Sequence, residues 1–170
     1  MTITYKTGDA ARPEGDGATV IVHIVNSVGG WGQGFVRALS ARWPEPERAY
    51  RQWYRLRKDP DGEDRFSLGG VQFVEVGKKL WVANMIAQSG YGPSATRIRA
   101  PNPDHRPPIR YDSLEKCLLK VASFAEKNAA SMHMPRIGCG LAGGTWAQVE
   151  PLVTQASEKH KVHVFVYDQP

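Results

Sequence analysis

Residues 22–35 read VHIVNSVGGWGQGF, an apolar strand-like run followed by an Asn and then four glycines in six residues. Glycine is placed where the backbone takes positive φ or comes close to another group, and elsewhere it costs conformational entropy. A strand, a glycine loop and a helix N-terminus in that order also form a site for anions, held by backbone N–H groups and the helix dipole. Two phosphate loops fail against this stretch. The dinucleotide pattern G-x-G-x-x-G begun at Gly30 finds Gly32 but then Phe35 where a third glycine is needed, and Gly-Lys-Ser/Thr occurs nowhere. The loop therefore serves either another nucleotide geometry or a tight turn.

A second glycine loop decides between these. Residues 138–144 read GCGLAGG, between a strand expected over 132–137 and a helix expected over 146–159. In α/β sheets such loops lie at the carboxyl ends of strands, where ligands bind. Two of them on one edge could close on an extended polyphosphate from both sides. Outward from the loops, strands are expected at 3–6, 20–25, 71–76, 80–86 and 162–167, and helices at 33–42, 45–57 and 111–128. Gly77-Lys78 would turn a hairpin, and Asp59-Pro60-Asp61-Gly62 has turn chemistry. Residues 89–109 hold five prolines and little periodicity, which suits a long mobile loop bordering the site. Strands alternating with helices predict one domain over 1–170. Its class is α/β, a three-layer α/β/α stack around a mixed, largely parallel sheet of about six strands.

Composition narrows the function classes. A chain of 170 residues with 41% hydrophobic and 23% charged residues is an ordinary soluble globule that can bury its own core. Its start, MTITYKTGDA, is too polar for a signal peptide, and no apolar run reaches membrane-spanning length. Cys117 and Cys139 are too few for a disulfide framework, so a cytoplasmic location is expected. Metal-ligand spacings are missing, and neither a metal nor a cofactor is expected. The net charge of +5 concentrates in Arg37, Arg42, Arg48, Arg51, Arg55, Arg57 and Lys58. These could form a solvated helix face or attract anionic partners; no nucleic-acid-binding motif accompanies them.

Nearly the whole chain resembles a macrodomain, the ADP-ribose-binding module. The resemblance is carried by ITYKTGD (3–9), HIVNSVGGWGQGF (23–35), VANMIAQ (82–88), MPRIGCGLAGGTW (134–146) and VYD (166–168). It is similar above all to the branch holding the terminal ADP-ribose protein glycohydrolase and the yeast ADP-ribose-1''-phosphate phosphatase. The resemblance implies that Asp9 accepts from the adenine amine, beside Ala10, and that Tyr167 lies along the adenine face. Asp9 could equally cap a turn, and Tyr167 could equally belong to the core. Gly138, Cys139, Gly140, Leu141, Ala142 and Gly143 would wrap the diphosphate. Trp31, Gly32, Gln33, Gly34 and Phe35 would hold the phosphate and distal ribose, and Asn26 would orient that ribose or a water, or tie down its own loop.

The chain departs from the family at its chemistry. The glycohydrolase uses a Lys on the fourth strand and an Asp in the second loop, where this sequence has Gln88 and Ala142. Gln cannot form a Schiff base and Ala is no base, so a lysyl adduct is not expected. The catalytic candidates left are Gln88, Asn26 and His23; His23 is either a general base or a hydrogen-bonded residue of its apolar strand. Cys139 is either a reactive thiol or a packing residue. The expected function is hydrolysis of mono-ADP-ribose from acidic protein side chains by a water that the substrate's own diphosphate assists. The alternatives are ADP-ribose-1''-phosphate phosphatase and non-catalytic reader. Expected partners are ADP-ribose and mono-ADP-ribosylated proteins, with no membrane partner, and the protein is expected to be a monomer.

Overall fold

In the computed structural model, residues 3–57, 65–90 and 107–170 are described. The turn expected at 59–62, Lys58, and most of the 89–109 segment with Arg97, Arg99 and Arg106 lie outside them. Six strands, β1 (Ile3–Thr7), β2 (Thr19–Asn26), β3 (Val71–Gly77), β4 (Leu80–Gln88), β5 (Ser131–Met134) and β6 (Val164–Asp168), form one sheet in the order β1-β6-β5-β2-β4-β3. Every pairing is parallel except β3 with β4. The helices are α1 (Phe35–Arg42), α2 (Glu45–Arg55), α3 (Tyr111–Lys127) and α4 (Trp146–His160).

Strand β2 explains why a continuous apolar run, rather than alternation, marks a strand covered on both faces. Val20 and Val22 enter one core with Leu114, Leu118 and Val121 of α3 and Val149 and Val153 of α4. Ile21 and Val25 enter a second core with Val36 and Leu39 of α1 and Tyr50 and Trp53 of α2. Helices thus cover both faces, and the three-layer α/β/α architecture with a mixed, mostly parallel sheet is present. Several of the clustered cations have local partners: Arg51 pairs with Glu47 at 2.8 Å, Arg42 donates to the Ala11 carbonyl at 2.7 Å, and the Arg57 guanidinium lies 3.8 Å from the Tyr54 ring centroid.

Most boundaries shift by one or two residues from the sequence expectation, and three of the shifts have a clear local reason. Helix α1 starts at Phe35 rather than 33 because Gly32 and Gly34 have φ of 53° and 83°, outside helical space. Strand β5 ends at Met134 rather than 137, because Pro135 follows and has no N–H to continue the ladder. The hairpin turns at Lys78-Lys79, with Lys79 at φ 53°, while Gly77 is still paired with Leu80. The closing strand starts at Val164 rather than 162. No described helix is long and apolar enough to cross a membrane.

Candidate functional site

The sheet parts between β2 and β5. Their pairing covers only Thr19–Ile21 with Ser131–His133, and β2 then runs on to Asn26 while β5 stops at Met134. The chain leaves β2 toward α1 on one face of the sheet and leaves β5 toward α4 on the other. That reversal is the topological switch point at which open α/β sheets bind ligands. A cleft of about 240 Å³ opens there, with His23 and Ile24 on one wall, residues 135–138 and 140–142 on the other, and Gln33, Gly34, Phe35, Val36 and Gln88 closing it.

Both glycine loops reach this cleft, and each splits into structural and open positions. A Cβ on Gly29 would lie 2.4 Å from the Tyr54 ring, and one on Gly138 would lie 2.5 Å from Ile109 Cδ1. These glycines permit close packing. A Cβ on Gly34 or Gly140 would meet nothing within 4 Å. Gly34 also caps α1 with no side-chain hydrogen bond; the Arg37 N–H bonds the Gly34 carbonyl at 3.0 Å, while those of Phe35 and Val36 have no partner among the described residues. Across the cleft, the N–H groups of Gly138, Gly140, Leu141 and Ala142 make no hydrogen bond among the described residues. Opposed backbone donors of this kind form a nest for an anion.

The side chains expected in the site fall into three groups. His23, Gln33, Gly34, Phe35, Gln88, Gly138, Gly140, Leu141 and Ala142 line the cleft. Gln88 and Ala142, which the sequence resemblance sets against a Lys and an Asp of the glycohydrolase, share one cavity. Gln88 donates from Nε2 to the Gly90 carbonyl at 2.9 Å, and its Oε1 has no partner among the described residues. Leu141 stands at the lip, 67% exposed.

A second group organises the loops. Asn26 is buried; its Oδ1 accepts from the N–H groups of Val28 and Gly30 and from the Tyr50 hydroxyl, at 3.0, 3.1 and 2.9 Å, and its Nδ2 donates to the Gly30 carbonyl at 2.7 Å. It thereby moulds the turn into the first loop, leaving one amide hydrogen for anything else. Trp31 is buried, donating to Ser40 Oγ at 2.8 Å, and is not among the residues that line the cleft. Cys139 packs against the larger core, its Sγ 3.4 Å from the Ile137 carbonyl, and burial raises its thiol pKa above the ordinary value.

The third group lies outside the cleft, toward β1 and β6. Asp9 is exposed and holds the turn after β1 by accepting from Ala11 N–H at 2.8 Å. Ala10 is buried, and Tyr167 is 3% exposed, its hydroxyl 2.8 Å from His133 Nδ1 and accepting from Glu14 N–H at 3.1 Å. Gly32 and Gly143, both at positive φ, flank the cleft in their loops.

Sequence reasoning missed Pro135, Arg136, Ile137, Ile24 and Val36 in the lining. Arg136 is the notable one. Its guanidinium forks onto Asp168 at 2.6 and 3.0 Å, and its centre lies 5.2 and 5.3 Å from the rings of Tyr5 and Trp146. This pairing raises the arginine pKa further and lowers that of Asp168. A cation immediately before a glycine loop was the signal available for it. Also missed was Asn84, whose Oδ1 lies 2.5 Å from His23 Nε2. Burial lowers the His23 pKa to about 4, so the ring is neutral near pH 7.

No family model matches the chain. The mouse Chromodomain-helicase-DNA-binding protein 1-like is 28% identical over 172 residues, covering 99% of this chain but 18% of that protein; for the zebrafish protein of the same name the share is 15%. The chain thus spans less than a fifth of the curated relatives it first matches. A protein of unknown function from Bacteroides thetaiotaomicron superposes with a TM-score of 0.87 at 48% identity, covering 99% of this chain and 98% of its own. Thermosipho africanus DarTG in complex with ADP-ribose shares the fold, with a TM-score of 0.62 at 17% identity over 89% of this chain and 38% of its own. A macrodomain protein from Streptomyces coelicolor superposes with a TM-score of 0.80 at 44% identity, over 98% of this chain and 99% of its own. A likeness of that degree along both whole chains goes beyond shared architecture: this chain belongs to the macrodomain family.

Proposed function

We propose that the cleft binds ADP-ribose and that the protein hydrolyses mono-ADP-ribose from acidic protein side chains. The observation that carries this reading is the pair of glycine loops facing each other at the switch point, with N–H groups of Gly138, Gly140, Leu141 and Ala142 that have no partner among the described residues opposite the start of α1. A diphosphate is the group such donors suit, each charge-assisted bond contributing about 1.5–3 kcal/mol. The Thermosipho protein of the same fold was solved with ADP-ribose. The stretches HIVNSVGGWGQGF and MPRIGCGL favour the branch of the terminal glycohydrolase and the yeast phosphatase. The protein would act as a monomer, and two free cysteines suit a reducing cytoplasm.

The chemistry proceeds without a protein nucleophile. A water oxygen bonds to C1'' of the distal ribose as the C1''–O bond to the acyl group breaks. The bond's electron pair leaves on the carboxylate, and the water proton passes to a diphosphate oxygen. The products are ADP-ribose and the free acidic side chain. Gln88 Oε1 orients the water, loop N–H groups stabilise the diphosphate, and Asn26 holds the loop that frames the ribose. Release of free ADP-ribose from glutamate-modified protein tests the reading; binding of ADP-ribose without release would make the protein a reader of the modification. The reader reading is favoured by one feature, the lack of a strong base among the described lining residues, where Gln88, Ala142 and a neutral His23 stand. Release of inorganic phosphate from ADP-ribose-1''-phosphate would instead select the phosphatase.

A further inference from the structure

Arg136 follows the proline that ends β5 and precedes the second glycine loop, which puts it at the carboxyl edge of the sheet. Among the described lining residues it alone carries a formal charge near pH 7. Its fork is already occupied, because Nε and Nη2 donate to the two Asp168 oxygens at 2.6 and 3.0 Å. Tyr5 and Trp146 back it. Their ring centroids lie 5.2 and 5.3 Å from the guanidinium carbon but only 6.4 Å from each other, far closer than they would be across it, so both stand to one side. The rings are tied in turn: Trp146 Nε1 donates to the Tyr5 hydroxyl at 3.0 Å and to Glu150 Oε2 at 3.2 Å, and the Tyr5 hydroxyl donates to the same carboxylate. The guanidinium is thus held in place by groups that do not cover it. Its side chain is still 40% exposed, and Nη1 has no partner among the described residues.

Its place along the sheet edge says which part of a ligand it meets. In the strand order β6-β5-β2-β4, Asp168 ends β6, Arg136 follows β5 and Gln88 ends β4. Two strand spacings, about 10 Å, separate the ends of β5 and β4, and the first glycine loop leaves β2 between them. A ligand with its diphosphate on the loop N–H groups and its distal sugar at Gln88 therefore carries its other end toward Arg136. We infer that the base of the bound nucleotide stacks on the Arg136 guanidinium, and that Arg136 rather than Tyr167 supplies the base-binding face. A phosphate would seek the fork and the net charge of an arginine, and Asp168 has taken both. What remains is a flat, weakly hydrated group of the kind on which nucleobases stack. Tyr167 is 3% exposed, its hydroxyl is engaged by His133 and Glu14, and it does not line the cleft, so its ring has little face to offer. The inference rests on the ADP-ribose reading above and adds to it the residue that holds the base.

The test compares two ligands on the whole protein by calorimetry: ADP-ribose, and ribose 5-diphosphate, which is the same molecule without its adenosine. The variant is Arg136→Lys, which keeps the charge beside Asp168 and loses the plane. It should bind ADP-ribose about tenfold more weakly than wild type and ribose 5-diphosphate within about twofold of it. Full affinity for ADP-ribose in the lysine variant would mean that charge alone matters, and would overturn the inference. Equal losses on both ligands would assign the side chain to the diphosphate or to the fold, and would overturn it too. If the variant does not fold, the Arg136 Nε–H proton resonance of wild type decides. The ring current of a stacked adenine should move it upfield with ADP-ribose, and ribose 5-diphosphate should not. ADP-ribose binding with no upfield shift removes this inference alone, whereas failure of wild type to bind ADP-ribose removes the proposed function and this inference together.

Discussion

Substitution of Gly140 separates ligand binding from folding. A Cβ built there meets nothing within 4 Å, and the residue has no left-handed φ, although it lines the cleft. Gly140→Val should therefore fold without strain. Loss of glycine's freedom in the unfolded chain stabilises by about 0.4–1 kcal/mol, or up to roughly 3 °C in Tm for a domain of this size. Bound diphosphate would lie against the N–H groups beside that Cβ. Losing two charge-assisted bonds at about 1.5 kcal/mol each removes about 3 kcal/mol, roughly 150-fold in Kd. Gly144→Ala is the contrasting variant: its Cβ would fall 2.6 Å from the Gly138 carbonyl oxygen and 2.8 Å from Ile109 Cδ1. Backbone cannot swing aside as a side-chain tip can, so Tm should drop by roughly 3–10 °C, from about 1–3 kcal/mol of overpacking. Thermal melts and calorimetry with ADP-ribose read both effects. A folded Gly140→Val protein that binds ADP-ribose like wild type would refute the placement of the anion in this loop.

Other outcomes follow from the same geometry. Asp9→Ala should weaken ADP-ribose binding by about 1.5–3 kcal/mol if its exposed carboxylate meets the adenine amine; unchanged affinity in calorimetry would leave Asp9 as the cap of its turn alone. Borohydride treatment during turnover should trap no covalent enzyme–ribose species, and Gln88→Ala should slow ADP-ribose release while keeping affinity within about tenfold. A trapped adduct, or unchanged release, would rule out the positioned-water mechanism. Burial lowers both His23 and His133 to about 4, with Lys6 and His163 adding positive potential at His133. An unfolded His titrates near 6.5, so the unfolded chain binds more protons below that pH. Stability should therefore be level above about pH 6.5, decline by about 1.4 kcal/mol per unit for each His down to about pH 4, and level off for these groups below it. A urea midpoint that does not fall between pH 6.5 and 4.5 would contradict the buried neutral state of both rings.

The layers were legible because burial on two faces leaves a mark that one chain can show. Val20, Ile21, Val22 and Val25 have no polar alternation, and only a strand between two helical layers needs that. The boundaries were less legible because they depend on backbone angles and missing donors rather than on hydrophobicity. Gln33 continues the helical pattern of 33–42, yet Gly34 at φ 83° keeps it out of α1. Similarly, Ile137 looks like the end of an apolar strand, but Pro135 ends the ladder after Met134.

The site was legible in its backbone and obscure in its side chains, and the reason is hydrogen-bond accounting across strands. A sequence shows that Asn26 is polar in an apolar run. It does not show that Tyr50, 24 residues on, occupies the same Oδ1 that Val28 and Gly30 use. Asn84 looks like one polar interruption in VANMIAQ until β4 is laid beside β2, when it becomes the group that sets the tautomer of His23. Once these internal bonds are assigned, the cleft keeps N–H donors on the glycine loops, Gln88 Oε1 and the Gln33 amide without partners among the described residues. The N–H donors suit an anion, and the side-chain amides suit hydroxyls. A ligand with a diphosphate in its middle and a sugar at its end satisfies both sets at once.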